Sequence, residues 1–315
     1  MSILIVGSNG VVGRDLLRLL NNDNNDYSLT LVNRDMVIQE YKGERIMSVS
    51  LENVKNKSFD YVFNCADESI SNEIIKNISF NYYIDNSSNL RRDERVPLVI
   101  PELNFRRDKI IANPNCTSII LCLFLSSLNR LKINKINVST YQALSGGGKK
   151  KIEKLLKEEK ECNITENNLS GRIREKQIAY NFYPHESKKL ENGFNGEEEK
   201  VMYETNRIMG YNVFVTCIRV PVIRCHGESV TIIFDKEYSK EEIIESIKSV
   251  GYLNYDEDID CVSNEYSNKV SVGHIRHNPL NKKEWNFFIV GDQITRGASY
   301  NAYGIFNNIV KTKVQ

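Results

Sequence analysis

The sequence predicts an α/β protein in two parts: a domain built on a mainly parallel sheet, then an α+β domain. Three observations predict it. Short apolar runs alternate with helical patterns through the first third of the chain. A glycine-punctuated turn joins the first apolar run to the first helical pattern. After Asn113 the texture changes to longer helices and to segments that alternate like strands with one wet face.

Residues 2–6 read as a strand and 11–20 as the helix after the turn. Residues 29–32, 61–65, 82–85 and 110–112 read as further buried strands, separated by turn-rich or amphipathic stretches. Residues 117–131 have helical length and period, and 137–143 form a strand that runs into Gly146, Gly147 and Gly148. Residues 149–161 make a strongly charged helix with a solvated face and i,i+4 pairs. Residues 213–219 and 229–234 alternate as strands, 192–199 read as a polar loop, and 297–310 as a last helix.

The 315 residues carry a net charge of +1, with 41% hydrophobic and 26% charged residues, enough for a core without disulfide or metal staples. Six prolines and 17 glycines exclude collagen-like and low-complexity classes. The near-zero charge argues against wholesale nucleic-acid binding, and Arg91-Arg92-Asp93-Glu94-Arg95, with its mixed signs, offers no nucleic-acid patch. No apolar run reaches membrane-spanning length, and the start lacks the basic leader and long apolar stretch of a signal peptide. Seven cysteines without a C-x-x-C pair fit free thiols in a reducing compartment, so a cytoplasmic location is expected.

Gly7-Ser8-Asn9-Gly10-Val11-Val12-Gly13 lies between the first strand and helix. Glycines there let a pyrophosphate approach a helix N-terminus, which makes the first domain Rossmann-like and dinucleotide-binding. The second strand ends Val32-Asn33-Arg34, with no acid where a ribose 2′-hydroxyl would be held. Arg34 suits a 2′-phosphate instead, so NADP(H) is favoured, while Asp35 keeps NAD open.

In Asn113-Pro114-Asn115-Cys116-Thr117-Ser118, Cys116 stands where a helix begins. The helix dipole and unpaired N–H groups there favour a thiolate and could receive an oxyanion. Such a thiolate can hold an acyl group while a hydride is added or removed. Cys65, Cys122 and Cys217 read as small buried hydrophobes.

GSNGVVG, NPNCTS, YQALSGGG, IAYNFYPH, ETNRI, RVPVIRCHGES and GDQITRGASYNA occur in that order from residue 7 to residue 302. Together they resemble the aspartate-β-semialdehyde dehydrogenase family. The resemblance implies NADPH-dependent reductive dephosphorylation of L-aspartyl-4-phosphate to aspartate semialdehyde and phosphate, in lysine, threonine and methionine biosynthesis. It makes Cys116 the nucleophile of a thioacyl intermediate, His226 the general acid/base and Gln142 the residue that positions the acyl group. It gives Arg219 the α-carboxylate, Glu204 the amine, and Arg91 and Arg207 the phosphate, with Asn115 assisting. Ser145, Gly146 and Gly147 fall beside the cofactor. The implied domains are 1–116 with about 297–315 for the dinucleotide, and 117–296 for catalysis and dimerisation, in a homodimer or a tetramer.

Arg207 stands where many family members are expected to carry Lys. Arg219 and His226 are seven residues apart, so a regular strand would put them on opposite faces; they share a site only if the chain breaks near Pro221. Cys225 reads as a structural thiol and His185 as a structural histidine. His274 and His277 lack partners for a metal site and read as surface residues. Two alternatives stay open: a related acyl-phosphate reductase such as the N-acetylglutamyl-phosphate enzyme, and a catalytically idle NADP-binding module.

Overall fold

The computed structural model describes residues 1–165, 167–168 and 170–314. Gln315, which closes the expected 297–315 segment, lies outside the described residues. The chain divides into two compact units, Met1–Ile119 with Thr295–Gln315, and Ile120–Ile294.

In the first unit, β1 (Ser2–Val6), α1 (Val11–Asn21) and β2 (Ser28–Val32) lead to a small hairpin of β3 (Ile38–Tyr41) and β4 (Glu44–Met47). Then come β5 (Ser58–Asn64), α2 (Glu68–Asn77), β6 (Ser79–Asp85), the short α3 (Pro101–Asn104) and β7 (Ile110–Ala112). Five strands form a parallel sheet in the order β2-β1-β5-β6-β7. Alternate residues explain why it is buried on both faces. Ile3 and Ile5 pack in one cluster with Leu16 and Leu20 of α1, and Leu4 and Val6 in another with Ile74 of α2. Each such side chain contributes roughly 1.5–3 kcal/mol by leaving water.

The helix α4 (Cys116–Ser127) contains the division between the units. The second unit continues with β8 (Ile133–Gln142), α5 (Lys149–Glu161), β9 (Tyr183–Pro184), α6 (Gly196–Met209), β10 (Val213–Arg219), β11 (His226–Phe234) and α7 (Lys240–Lys248). It ends with β12 (Leu253–Tyr255), β13 (Val270–Asn278) and β14 (Asn281–Gly291). These strands form a mixed sheet, β12-β13-β14-β11-β8-β10-β9. Val138, Val215, Val230 and Phe287 point to its buried face, where Phe124 of α4 meets Phe287 with ring centroids 5.0 Å apart. Asn137, Thr216 and Thr231 alternate onto the other face, which also bears the exposed Phe214.

Some elements depart from expectation. The stretch 192–199 is a loop only to Asn195. There the Asn195 side chain accepts the N–H groups of Glu197 and Glu198, and Glu198 accepts the N–H of Asn195. This capping box starts α6 at Gly196 and was hidden in a polar run. The helix expected over 117–131 starts at Cys116 and stops at Ser127, and β11 begins at His226 rather than Ser229. Before the last helix, α8 (Tyr300–Val314), residues Thr295–Ser299 form a π-helical turn. The charged α5 is not wholly solvated: Glu158 is buried and accepts the N–H groups of Ile178 and Ala179.

Phe306 of α8 meets Tyr27, Tyr61 and Phe63 edge-on, at centroid distances of 5.5, 4.8 and 5.8 Å. Phe306→Ala should therefore cost about 3–5 kcal/mol of unfolding free energy in a denaturant titration. A loss below about 1 kcal/mol would contradict this packing.

Candidate active site

The glycine turn is shaped by backbone contact. Gly7 has φ +81°, and a Cβ there would stand 2.8 Å from the Cys65 carbonyl carbon. A Cβ on Gly13 would stand 2.3 Å from the Gly7 oxygen. Gly10 precedes α1 without a side-chain cap, so the first N–H groups of the helix, at Val11 and Val12, receive no capping side chain. A cradle of this kind fits a dinucleotide pyrophosphate. Around it, Asn33 accepts the N–H of Asn9 (2.8 Å) and donates to Ser8 Oγ (2.8 Å), and Ser8 donates to Gln39 (2.5 Å). Arg34 and Asp35 are both exposed after β2.

Cys116 is the first residue of α4 and is half-buried. The side-chain oxygen of Asn115 accepts the N–H groups of Thr117 (3.0 Å) and Ser118 (3.3 Å), so it caps the helix. This oxygen is thereby engaged by the helix it caps. A Cβ on Gly297, in the π turn, would stand 2.7 Å from Cys116 Cβ, so only glycine lets the two backbones approach so closely. Asp15 of α1 accepts from Thr295 Oγ1 (2.8 Å) and Ser299 Oγ (2.5 Å), which braces that turn. Arg91 donates to the Asn86 carbonyl (2.8 Å), and the Asn86 side chain accepts from Asn113 (2.9 Å).

In the second unit three strand ends converge. Arg219 ends β10 opposite Gln142, the last residue of β8, and β11 opens at His226 beside them. Residues 220–223 leave the strand, and Val220, Leu144 and Ser145 extend the pairing through the bonds Val220 N–H to Gln142 O, Leu144 N–H to Val222 O and Ser145 N–H to Ile223 O. This is the break that brings Arg219 and His226 to one place. His226 Nδ1 accepts the Ala143 N–H (3.1 Å), and Arg219 Nη1 donates to the Ala143 oxygen (2.6 Å). A Cβ on Gly146 would lie 3.8 Å from His226 Nε2 and 3.9 Å from Arg219 Nη1.

Burial, reinforced by the Arg219 charge, pulls the His226 pKa down to about 3. The ring is then neutral, and since Nδ1 accepts, its proton is on Nε2. Gln142 is buried and donates to Glu197 at 3.1 Å, and Glu197 pairs with Lys200 at 3.5 Å. Arg219 is 3% exposed and holds Glu186 through Nε (3.2 Å) and Nη2 (3.1 Å). His185 Nε2 lies 2.5 Å from Arg219 Nη2, and burial pulls its pKa down to about 4. Lys151 of α5 pairs with Glu186.

Several expected residues sit elsewhere. Glu204 lies two turns along α6 from Glu197, about 10 Å by helix rise, and Arg207 a further turn on. Glu204 is buried within electrostatic reach of Cys122. The spacing acid-x-x-base occurs twice on this helix, at Glu197/Lys200 and at Glu204/Arg207, and the first pair is at Gln142. Contact with Gln142, which spacing does not reveal, is what separates the two pairs. Ser145 is buried, and its hydroxyl is tied to the Ile223 oxygen and to Gln293. Gly147 packs on Lys151. His185, read as structural, touches Arg219, while Glu186, Glu197, Lys151 and Lys200 were missed. Cys225 is buried with φ +68°, and burial pushes its thiol up. Among the described residues no group of His, Cys, Asp and Glu could hold a metal ion, and no helix is long and apolar enough to cross a membrane.

Two family models match the chain: "Semialdehyde dehydrogenase, NAD binding domain" over residues 2–111 and "Semialdehyde dehydrogenase, dimerisation domain" over 125–296. The chain is 32% identical over 340 residues to the aspartate-semialdehyde dehydrogenase of Helicobacter pylori, with 98% of each covered. It is 34% identical over 336 residues to that of Aquifex aeolicus, again with 98% of each covered. The chain belongs to the aspartate-semialdehyde dehydrogenase family. The crystal structure of aspartate semialdehyde dehydrogenase II from Vibrio cholerae matches this family member with a TM-score of 0.89 at 27% identity, over 98% of both chains. A complex of that protein with ASA matches with a TM-score of 0.87. The parallel sheet of the first unit and the mixed sheet of the second are the Rossmann-like and α+β parts of this fold.

The buried neutral His226 has a consequence for acid stability. A histidine whose folded pKa lies below its unfolded value of about 6.5 makes the fold lose stability as pH falls from about 6.5 toward about 3. His226→Asn keeps an acceptor for the Ala143 N–H but does not titrate. Its stability should fall less steeply than wild type from pH 6.5 to 4.5, by roughly 1 kcal/mol per pH unit. Equal slopes in denaturant titrations would contradict the neutral assignment.

Proposed function

We propose that this protein is an NADPH-dependent aspartate-semialdehyde dehydrogenase. It reduces L-aspartyl-4-phosphate to aspartate semialdehyde and phosphate in the aspartate-family route to lysine, threonine and methionine. The observation that carries this reading is the convergence of Gln142, Arg219 and His226 around Ala143 in a chain similar along its whole length to enzymes of that name.

In this reading Cys116 attacks the acyl phosphate. The carbon–sulfur bond forms, phosphate leaves, and a thioacyl group remains on the protein. The N-terminus of α4, capped by Asn115, stabilises the thiolate and the developing oxyanion. When bound, NADPH supplies the hydride that releases the aldehyde from the thioester. His226, neutral with its proton on Nε2, moves the proton exchanged at the sulfur or oxygen. Gln142 orients the acyl carbonyl, and Arg219 takes the planar α-carboxylate through a two-bond grip. Glu197, rather than Glu204, faces the substrate amine, because it is the acid in contact with Gln142. Arg91 and Arg207 stay the expected phosphate residues, and Lys200, paired with Glu197, is a further candidate.

The turn Gly7–Gly13, with Asn33 and Arg34, holds the dinucleotide. Arg34 and the missing acid after β2 support NADP over NAD. We assign residues 1–116 and 297–315 to the dinucleotide domain and 117–296 to catalysis and dimerisation. The match to a dimerisation model and the exposed face around Phe214 support a homodimer, with a tetramer as its extension. The seven cysteines, an odd number without a C-x-x-C pair, are the ground for expecting a reducing, cytoplasmic setting.

The test is oxidation of aspartate semialdehyde with NADP and NAD side by side, with and without phosphate. Phosphate-dependent turnover favouring NADP is expected, and phosphate-independent turnover would contradict the reading. Cys116→Ala should abolish turnover while leaving NADP affinity within about twofold. Residual turnover near wild type would remove Cys116 as nucleophile. Glu197→Gln should raise KM for aspartate semialdehyde about tenfold or more, well beyond any effect of Glu204→Gln. The reverse order would restore Glu204 to the amine site.

A further inference from the structure

The Arg219 guanidinium already grips a carboxylate. Nε and Nη2 reach the two oxygens of Glu186 at 3.2 and 3.1 Å, the two-bond geometry that a planar carboxylate offers an arginine. The Arg219 side chain is 3% exposed and that of Glu186 33%. A buried guanidinium without an anion is strongly unfavourable, so the substrate-free protein needs a carboxylate at this place. The chain supplies one from a half-exposed position.

Three features make this grip exchangeable. The backbone beside Glu186 is anchored: the His185 N–H bonds the Cys217 oxygen (2.8 Å) and the Ser187 N–H bonds His185 Nδ1 (3.3 Å). Only the side chain has to swing. Lys151 also pairs with Glu186, so leaving Arg219 does not strand the carboxylate as a lone charge. Arg219 itself stays held through the Ala143 oxygen, so its position does not depend on Glu186.

We propose that Glu186 is a resident competitor for the substrate's α-carboxylate, filling the Arg219 grip until substrate displaces it. This rests on the reading of Arg219 as the carboxylate clamp. One carboxylate replaces another and no covalent bond changes. Apparent affinity is lowered by the fraction of time the grip is closed on Glu186. The exchange also sets specificity: a substrate analogue with a neutral group in place of the carboxylate cannot satisfy the buried cation once Glu186 leaves.

Steady-state kinetics of the full-length enzyme test it. Glu186→Gln should lower KM for aspartate semialdehyde about fivefold, because an amide competes poorly with a carboxylate for a guanidinium. Lys151→Met should act in the opposite direction, raising KM by leaving Arg219 as the sole cation for Glu186. In the Glu186→Gln background that rise should disappear. A merely structural Glu186 would not give opposite signs that cancel in the double variant. An unchanged or raised KM in Glu186→Gln overturns the proposal, as does a Lys151→Met effect that persists in the double variant. Arg219→Lys separates the underlying reading. If it raises KM while Glu186→Gln does not lower it, the clamp stands and the competitor falls. If it leaves KM unchanged, the clamp reading fails and takes the competitor with it.

Discussion

The backbone of Ala143 is held from both sides, its N–H by His226 and its oxygen by Arg219. This small piece of main chain fixes a histidine and an arginine that come from different strands. It also fixes the chemistry of the histidine, because an accepting Nδ1 leaves the proton on Nε2. The grip exists because β8 ends at Gln142, β10 ends at Arg219 and β11 starts at His226, with sheet pairing carried past the strand ends by residues 142–145 and 220–223. The valines and isoleucines that set the strand register at the centre of the sheet thereby set the site at its edge.

Charge is arranged around that grip with little waste. Arg219 and Lys151 share Glu186, while Glu197 meets Gln142 and Lys200. Burial keeps His185 and His226 neutral, so they add no further positive charge to the cluster. In the other unit the same economy holds with neutral groups. Asn33, Ser8 and Gln39 satisfy one another beside the glycine turn, and Asn113 and Asn301 bridge the strand before Cys116 to α8. In each cluster the polar groups named here have a partner that also orients them.

Much of this was legible in the sequence where local rules suffice. Short apolar runs located β1 and β7, alternation located β10, and a run of charges at helical spacing located α5. The break at Pro221 was legible as a condition but not as a fact, because proline permits a turn without saying where the chain goes next. The start of α6 was hidden because its capping box is made of Asn and Glu, which also compose loops. Glu197 was missed for a related reason: the acid-x-x-base spacing repeats after seven residues on one helix face, and only contact with Gln142 distinguishes the two copies. Glu186 could not be found at all by spacing. Its role depends on meeting Arg219, 33 residues away, across an antiparallel pairing of two residues.

The most direct test of the central claim is nitrogen-15 NMR of the His226 imidazole in the intact protein. One neutral Nε2–H ring is expected, with signals that do not titrate between pH 8 and about 5. An imidazolium appearing with a midpoint near about 6.5, or a ring protonated on Nδ1, would contradict it.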